Sequence, residues 1–313
     1  MKTILLTWAT WYIGSHWAVA LLENWYNVII IDNLSNSSKS SLKAIEKITW
    51  KKPKFYEIDL RNKEKLESVF KENKIDSVIH FAWAKAVWES CELPFYYYDN
   101  NITWSLKLFE LMDKYEVKNI IFSSSATVYR PELEAPFSEE TPTGNTTNPY
   151  WTTKLIIENI LRDLSNHKWF NIINLRYFNP VWAHSSGLIW EDPNDKPNNL
   201  LPFILKVASW ELEQIQVFWD DYPTKECRGE SCIHPIYEEI NLWTWTPTSV
   251  LEMIDITEEI IWRKLDYKIT KRRTWDIAIS YCNPKKAKEI LDWEAKKSIF
   301  DAISDSWNFI QNK

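Results

Sequence analysis

Tyr150 and Lys154 stand four residues apart, and Ser123-Ser124-Ser125-Ala126-Thr127 lies upstream of them. On a helix that spacing puts phenol and ammonium on one face. The ammonium stabilises a phenolate and brings a group that ordinarily ionises near about 10 toward working pH. Such a phenol takes a proton from an alcohol or returns one. Ser125 and Thr127 offer hydroxyls to a substrate alcohol beside it, whereas Ser124 reads as a strand-end cap. The expected catalytic set is Tyr150, Lys154, Ser125 and Thr127.

The first 32 residues supply what an oxidation needs next. Thr3–Thr7 reads as a strand, followed by a frame Trp8-x-x-Trp11-x-x-Gly14 that opens a helix. A second strand ends at Asp32, 18 residues after Gly14. The frame is that of a glycine loop, whose bare backbone N–H groups cradle a pyrophosphate at a helix N-terminus. An acid at the place of Asp32 accepts from a ribose 2′-OH and repels a 2′-phosphate, which favours NAD over NADP. Asp59, after a third strand, is placed for the adenine end. Phe81-Ala82-Trp83, with Lys85 close behind, follows a fourth strand at the carboxyl edge, where such sheets bind ligands.

Two of the three glycine places in that frame hold tryptophan. The chain has 4 Gly and 20 Trp in 313 residues, where about 7% Gly is ordinary. Trp also stands where turns and helix ends want glycine, as at Trp25, Trp182, Trp219, Trp243 and Trp245. Only Trp293 and Trp307 sit in contexts natural to Trp. Counting the others as glycine restores the ordinary content. A residue with a Cβ holds a positive φ poorly, so the exchange is not neutral. With a composition rich in Lys, Ile and Asn, the pattern predicts an AT-rich gene whose UGA codons mean glycine. Taken literally, Trp8 and Trp11 would block the dinucleotide and leave a non-catalytic scaffold.

Composition excludes other classes. A net charge of −6 leaves no basic footprint for nucleic acid, and no run reaches the ~18 apolar residues of a membrane span. Cys91, Cys227, Cys232 and Cys282 show no Cys-x-x-Cys spacing, so the expectation is a reducing cytoplasm and no metal.

These residues must be held by alternating elements. Strands are expected at Thr3–Thr7, Val28–Asp32, Lys54–Ile58, Ser77–Phe81, Asn119–Ser123 and Asn171–Tyr177, with helices near 13–24, 62–72, 95–115 and 150–165. Alternation with apolar strands predicts an α/β fold: a Rossmann-type, doubly wound parallel sheet covered on both faces. Residues 1–178 form the NAD-binding domain and 179–313 a smaller C-terminal substrate-binding lobe. In that lobe 194–202 and 220–234 read as loops, with helices near 248–263 and 285–290. The apolar faces of 94–115 and 150–165 suit a homodimer.

The chain resembles the UDP-glucose 4-epimerases of the extended short-chain dehydrogenase/reductase family. The segments that carry this are Asp32-Asn33-Leu34-Ser35-Asn36, Asp99-Asn100-Asn101-Ile102-Thr103, Ser123–Tyr129, Asn148-Pro149-Tyr150, Leu175-Arg176-Tyr177-Phe178-Asn179-Pro180, Asn198-Asn199-Leu200-Leu201-Pro202 and Asp220-Asp221-Tyr222-Pro223-Thr224. The resemblance spans 1–226 and 241–313. It implies NAD contacts from the loop (Trp8, Trp11, Tyr12, Ile13, Gly14), from Asp32, Asn33, Asn36 and Asp59, and from Phe81, Ala82 and Lys85. Asn100, Ser123, Tyr150, Lys154 and Tyr177 complete that set. It implies a UDP-hexose held by Lys85, Ser125, Asn179, Asn199, Leu200, Phe218, Arg273 and Asp276. The departure lies at 227–240, where the family's Arg-Asp-Tyr-Ile-His segment is replaced by Glu230-Ser231-Cys232-Ile233-His234 and a helix and strand are expected to be lost. The implied reaction is NAD-dependent epimerisation at C4. Thr127 is followed by Val128-Tyr129 rather than an acid pair, which argues against a 4,6-dehydratase. UDP-glucuronate and UDP-N-acetylhexosamine remain alternative substrates.

Overall fold

The computed structural model describes residues 1–81, 84–191, 199–218, 236–243, 247–270 and 281–313. The first half alternates as its apolar runs require: β1 (Thr3–Thr7), α1 (Tyr12–Glu23), β2 (Asn27–Asp32), α2 (Ser40–Thr49), β3 (Lys54–Glu57), α3 (Lys63–Glu72), β4 (Ser77–His80), α4 (Val87–Glu92), α5 (Pro94–Tyr98), α6 (Trp104–Lys114), β5 (Asn119–Ser125), α7 (Pro149–Lys168) and β6 (Asn171–Tyr177). Then follow α8 (Leu200–Ala208), β7 (Ile215–Phe218), β8 (Tyr237–Leu242), α9 (Val250–Ile261), β9 (Tyr267–Thr270), α10 (Lys285–Leu291) and α11 (Ile299–Gln311).

Seven strands form one sheet in the order β3-β2-β1-β4-β5-β6-β8, with every pairing parallel. Alternate residues of β2 explain why both faces are covered. Val28 and Ile30 belong to one buried cluster, and Ile29 and Ile31 to the other. The order reverses between β1 and β4, so β1 and the loop after it open the crevice where such sheets bind ligands. The expected Rossmann-type fold is therefore the observed one.

Several local expectations need correction. The single helix expected at 95–115 is α5 and α6 joined through a π-turn at Asp99–Thr103, which buries both Asn100 and Asn101. β5 runs on to Ser125, which itself caps the 3-10 turn Ala126–Val128. That turn fixes Ser125, rather than Ser124, as the cap. The stretch read as a loop to residue 202 becomes α8 at Leu200. Within the segment expected to be shortened, β8 begins at Tyr237 and adds the seventh strand beside β6. The sheet thus takes one strand from beyond residue 178.

Five helices end on a left-handed tryptophan. Trp25 follows α1, Trp50 caps α2, Trp169 caps α7, Trp210 follows α8 and Trp262 caps α9, with φ between 54° and 67°. All five are 70–93% exposed. Helices commonly end this way on glycine, which has no Cβ to crowd the carbonyl. A Cβ there costs roughly 1–2 kcal/mol, and at Trp50 and Trp262 little of the ring is buried to offset it. Trp50→Gly and Trp262→Gly should each raise stability by about 1 kcal/mol, read from urea unfolding. A loss of stability on either change would show that the indole holds the helix end.

Candidate functional site

The loop after β1 turns sharply at its first residue. Trp8 takes φ 54° and donates its N–H to the Ile31 carbonyl (2.8 Å). Trp11 then sits at the N-cap of α1 without a side-chain cap bond. A Cβ on Gly14 would lie 2.6 Å from Ala9 Cα and 2.8 Å from the Trp8 carbonyl oxygen. Both neighbours are backbone, so glycine is required there. Tyr12 and Ile13 are buried in the first turn, and the Tyr12 hydroxyl accepts from Trp182 N–H and donates to the Pro180 carbonyl.

Asp32 stands at the end of β2, against this loop. Its carboxylate accepts from Thr10 N–H and Oγ1, Leu34 N–H and Ser37 Oγ. Hydroxyl donors already surround it, the chemistry a ribose would offer. Asn36 Oδ1 is buried without a partner. Asn33 reaches Asp59 (3.4 Å), which Arg61 grips at 2.6–3.0 Å. Burial opposes the Asp59 charge, but Arg61 outweighs it and holds the carboxyl below its ordinary range. Trp8, Asn33, Asp59 and Asn100 line one small cavity.

At the other end of the crevice, α7 lies against β5 and the turn after it. Asn148 caps the helix by accepting from Trp151 N–H, with Pro149 as its first residue. That start fixes the rotation that turns Tyr150 and Lys154 inward. Lys154 Nζ donates to the Ser123 carbonyl (2.6 Å) and lies 6.0 Å from the Tyr150 ring centre. Burial pushes the Lys154 ammonium well below its ordinary range, opposed by the charge of Glu158. Burial likewise pushes the Tyr150 phenol up to about 12. Thr127 Oγ1 is buried without a partner, as a group waiting for a ligand hydroxyl would be.

Between these ends, Trp11 lies under the Lys85 ammonium, 3.8 Å from its ring centre, with a buried and partnerless Nε1. Lys85 pairs with Glu191 (2.9 Å), and Asn199 donates to the same carboxylate at 2.8 and 2.9 Å. Phe81 is buried, and the Tyr177 hydroxyl accepts from Trp17 Nε1. Asn179 is exposed and Leu200 opens α8. Ala82, Arg273, Asp276 and the side chain of Phe218 lie outside the described residues. Sequence reasoning missed Glu191, for which the sequence carries no signal. It also missed Glu158, four residues beyond Lys154, which the helical spacing could have flagged.

A parallel sheet with a loop at its switch point, and a Tyr-x-x-x-Lys helix across the crevice, defines a dinucleotide-dependent oxidoreductase scaffold of the short-chain type. Residues 4–224 match the family described as "NAD dependent epimerase/dehydratase family", and the chain belongs to that family. It is similar to a UDP-glucose 4-epimerase of Bacillus subtilis (strain 168), 45% identical over 98% of this chain and 96% of that one. Among solved structures it is similar to the Bifidobacterium longum UDP-glucose 4-epimerase in complex with NAD+ and UDP. There the TM-score is 0.92 at 43% identity, covering 99% of this chain and 98% of the other. The UDP-glucose-4-epimerase from Stenotrophomonas maltophila with bound NAD and formylated UDP-arabinopyranose also gives 0.92, at 35% identity over 100% and 98%. Among the described residues no helix is long and apolar enough to cross a membrane.

The residues present suit NAD at Gly14, Asp32 and the partnerless Asn36. They do not suit it at Trp8 and Trp11, whose side chains stand where bare backbone must face a pyrophosphate. Gly14→Ala should lower stability by about 1–3 kcal/mol, because the added carbon meets backbone on two sides. An unchanged urea midpoint would contradict the packing described for the loop.

Proposed function

We propose that this chain, in the form with glycine at the places of Trp8 and Trp11, is an NAD-dependent UDP-hexose 4-epimerase that interconverts UDP-glucose and UDP-galactose through transient oxidation at C4. The observation that carries the reading is the inward face of α7. Tyr150 and Lys154 lie there, with Lys154 bound to Ser123 of β5 and the unpaired Thr127 hydroxyl in the turn after that strand, against which α7 packs. When bound, NAD supplies the acceptor and later the donor of the C4 hydride.

This chain's residues supply the rest. Tyr150 Oη takes the proton of the 4-hydroxyl and returns it after the 4-keto sugar has turned over in the pocket. In the ligand-free site its phenol is too weak an acid for this, so a nearby cation must stabilise the phenolate. Lys154 is that cation. Ser125 and Thr127 orient the sugar hydroxyl. Lys85, Asn179, Asn199 and Leu200 are the proposed holders of the UDP-sugar, with Phe218, Arg273 and Asp276 carried over from the resemblance alone.

Residues 1–178 form the proposed dinucleotide-binding part and 179–313 the substrate lobe, apart from β8. Exposed Phe95, Tyr96 and Leu106 support a homodimer through the 94–115 segment, one of the two apolar faces, with 150–165, that suit it. The cysteine spacing supports a cytoplasmic setting. The left-handed tryptophans and the obstructed loop support glycine as the residue the gene specifies at those positions.

In the form of the chain that retains NAD, Tyr150→Phe should lower kcat by about 10²–10⁴-fold while calorimetry shows UDP-sugar binding little changed. Full activity in that variant would show that another group moves the proton.

A further inference from the structure

Behind the Tyr150–Lys154 pair lies a buried network that the proton transfer described above does not use. Glu158 is one further turn along α7, on the same face as Lys154, and its side chain is 0% exposed. Arg176 of β6, at 1% exposed, clamps it through two bonds, Nε to Oε1 (3.0 Å) and Nη2 to Oε2 (2.6 Å). The Ser124 hydroxyl donates to Oε1 as well (2.5 Å). Arg176 is completed by Tyr129 Oη (3.0 Å), which donates in turn to Asn241 of β8, and by Glu239 of β8 (3.0 Å). The network therefore ties α7, β5, β6 and β8 together directly behind the site.

We propose that Glu158 is a positioning residue of the Tyr150–Lys154 pair, serving as the buried counter-charge of Lys154 and as the acceptor that holds Ser124 against α7. The proposal rests on the reading of Tyr150 as the proton-transfer group. The strand geometry explains the second role. Ser124 lies between Ser123, whose carbonyl receives Lys154, and Ser125, which faces the turn with Thr127. Its side chain points to the opposite side of the strand from theirs. Fixing Ser124 on Glu158 thus fixes both neighbours relative to the helix that carries the phenol.

Charge balance explains the first role. The groups facing Lys154 are Tyr150 and Glu158 on α7, His80 on β4, and Arg176 on β6 behind Glu158. Burial keeps His80 neutral, with its imidazole lowered to about 3. Two buried cations are thus set against Glu158 and Glu239. Glu239 is shared with the half-exposed Arg162, which leaves Glu158 as the fully buried carboxylate on this face of α7. An opposite charge nearby favours the charged form of a buried group. Without Glu158, Lys154 and Arg176 would be like charges in one interior.

The test compares Glu158→Gln, Glu158→Asp and the paired Glu158→Gln/Arg176→Met. The last removes both charges together, a replacement that buried ion pairs commonly tolerate, and it serves if the single variant fails to fold. The first readout needs no cofactor. The Lys154 ammonium is titrated by NMR in ¹⁵N-lysine-labelled protein, its signal assigned by loss in Lys154→Met. Glu158→Gln should titrate at least about one pH unit lower than the parent, the paired variant lower by less because the repelling Arg176 charge is gone as well, and Glu158→Asp close to the parent. The second readout is the acidic limb of the kcat profile in whichever form of the chain retains NAD, and it should move to higher pH in the same two variants.

An unmoved Lys154 titration in Glu158→Gln, or in the paired variant where that one does not fold, overturns the proposal. So does a rate lowered equally at every pH. Full activity of Tyr150→Phe would instead overturn the reading beneath it, so the two failures are told apart.

Discussion

The site depends on one backbone turn. Between Thr7 and Gly14 the chain leaves the sheet, reverses at Trp8 with a left-handed φ, and enters α1 so closely that Gly14 touches the backbone of Ala9. That closeness brings Thr10, in the loop before α1, against Asp32. It also sets the N-terminus of α1 at the crevice, where a helix end would hold a diphosphate. The arrangement works only if nothing projects from the turn. Trp11 projects under Lys85 and Trp8 into the cavity beside Asp59 and Asn100. The geometry of a dinucleotide loop is intact while its surface is covered.

The same conflict recurs far from the site, where no ligand is at stake. Five helices end on exposed left-handed indoles, a conformation for which glycine is the ordinary choice. A functional pressure for tryptophan would not strike the ends of α2, α7 and α9 alike. A codon that means glycine and is read as tryptophan would strike all of them and the loop as well. The family match and the backbone agree with each other; the side chains at these positions agree with neither.

Most of the fold was legible because the sheet strands are short, doubly apolar and regularly spaced. Thr3–Thr7 and Asn171–Tyr177 fall where the apolar runs place them. What escaped has physical reasons. Only Ile45 of α2 is fully buried, although Leu42, Ala44 and Ile48 pack against the same cluster and give the segment a helical pattern that could have been read. α8 begins inside a stretch rich in Pro and Asn, and β8 is Tyr-Glu-Glu-Ile-Asn-Leu, whose glutamates are matched by Arg176, Arg162 and Lys286 across the structure. Tertiary pairing, invisible in sequence, makes that strand. In the site, Tyr150, Lys154 and Asp32 were found by spacing. Glu191, which holds Lys85 and Asn199, was not, because nothing local marks a carboxylate whose partners lie 106 and 8 residues away.

The obstruction of the loop by Trp8 and Trp11 is tested most directly by what the protein carries when purified. The unaltered chain and its Trp8→Gly/Trp11→Gly form are isolated alike and denatured, and any released cofactor is identified by absorbance and mass. The glycine form should release NAD in near-equal amount to protein and the tryptophan form none. Stoichiometric NAD from the tryptophan form would contradict the account, because backbone and pyrophosphate would then meet despite two indoles between them.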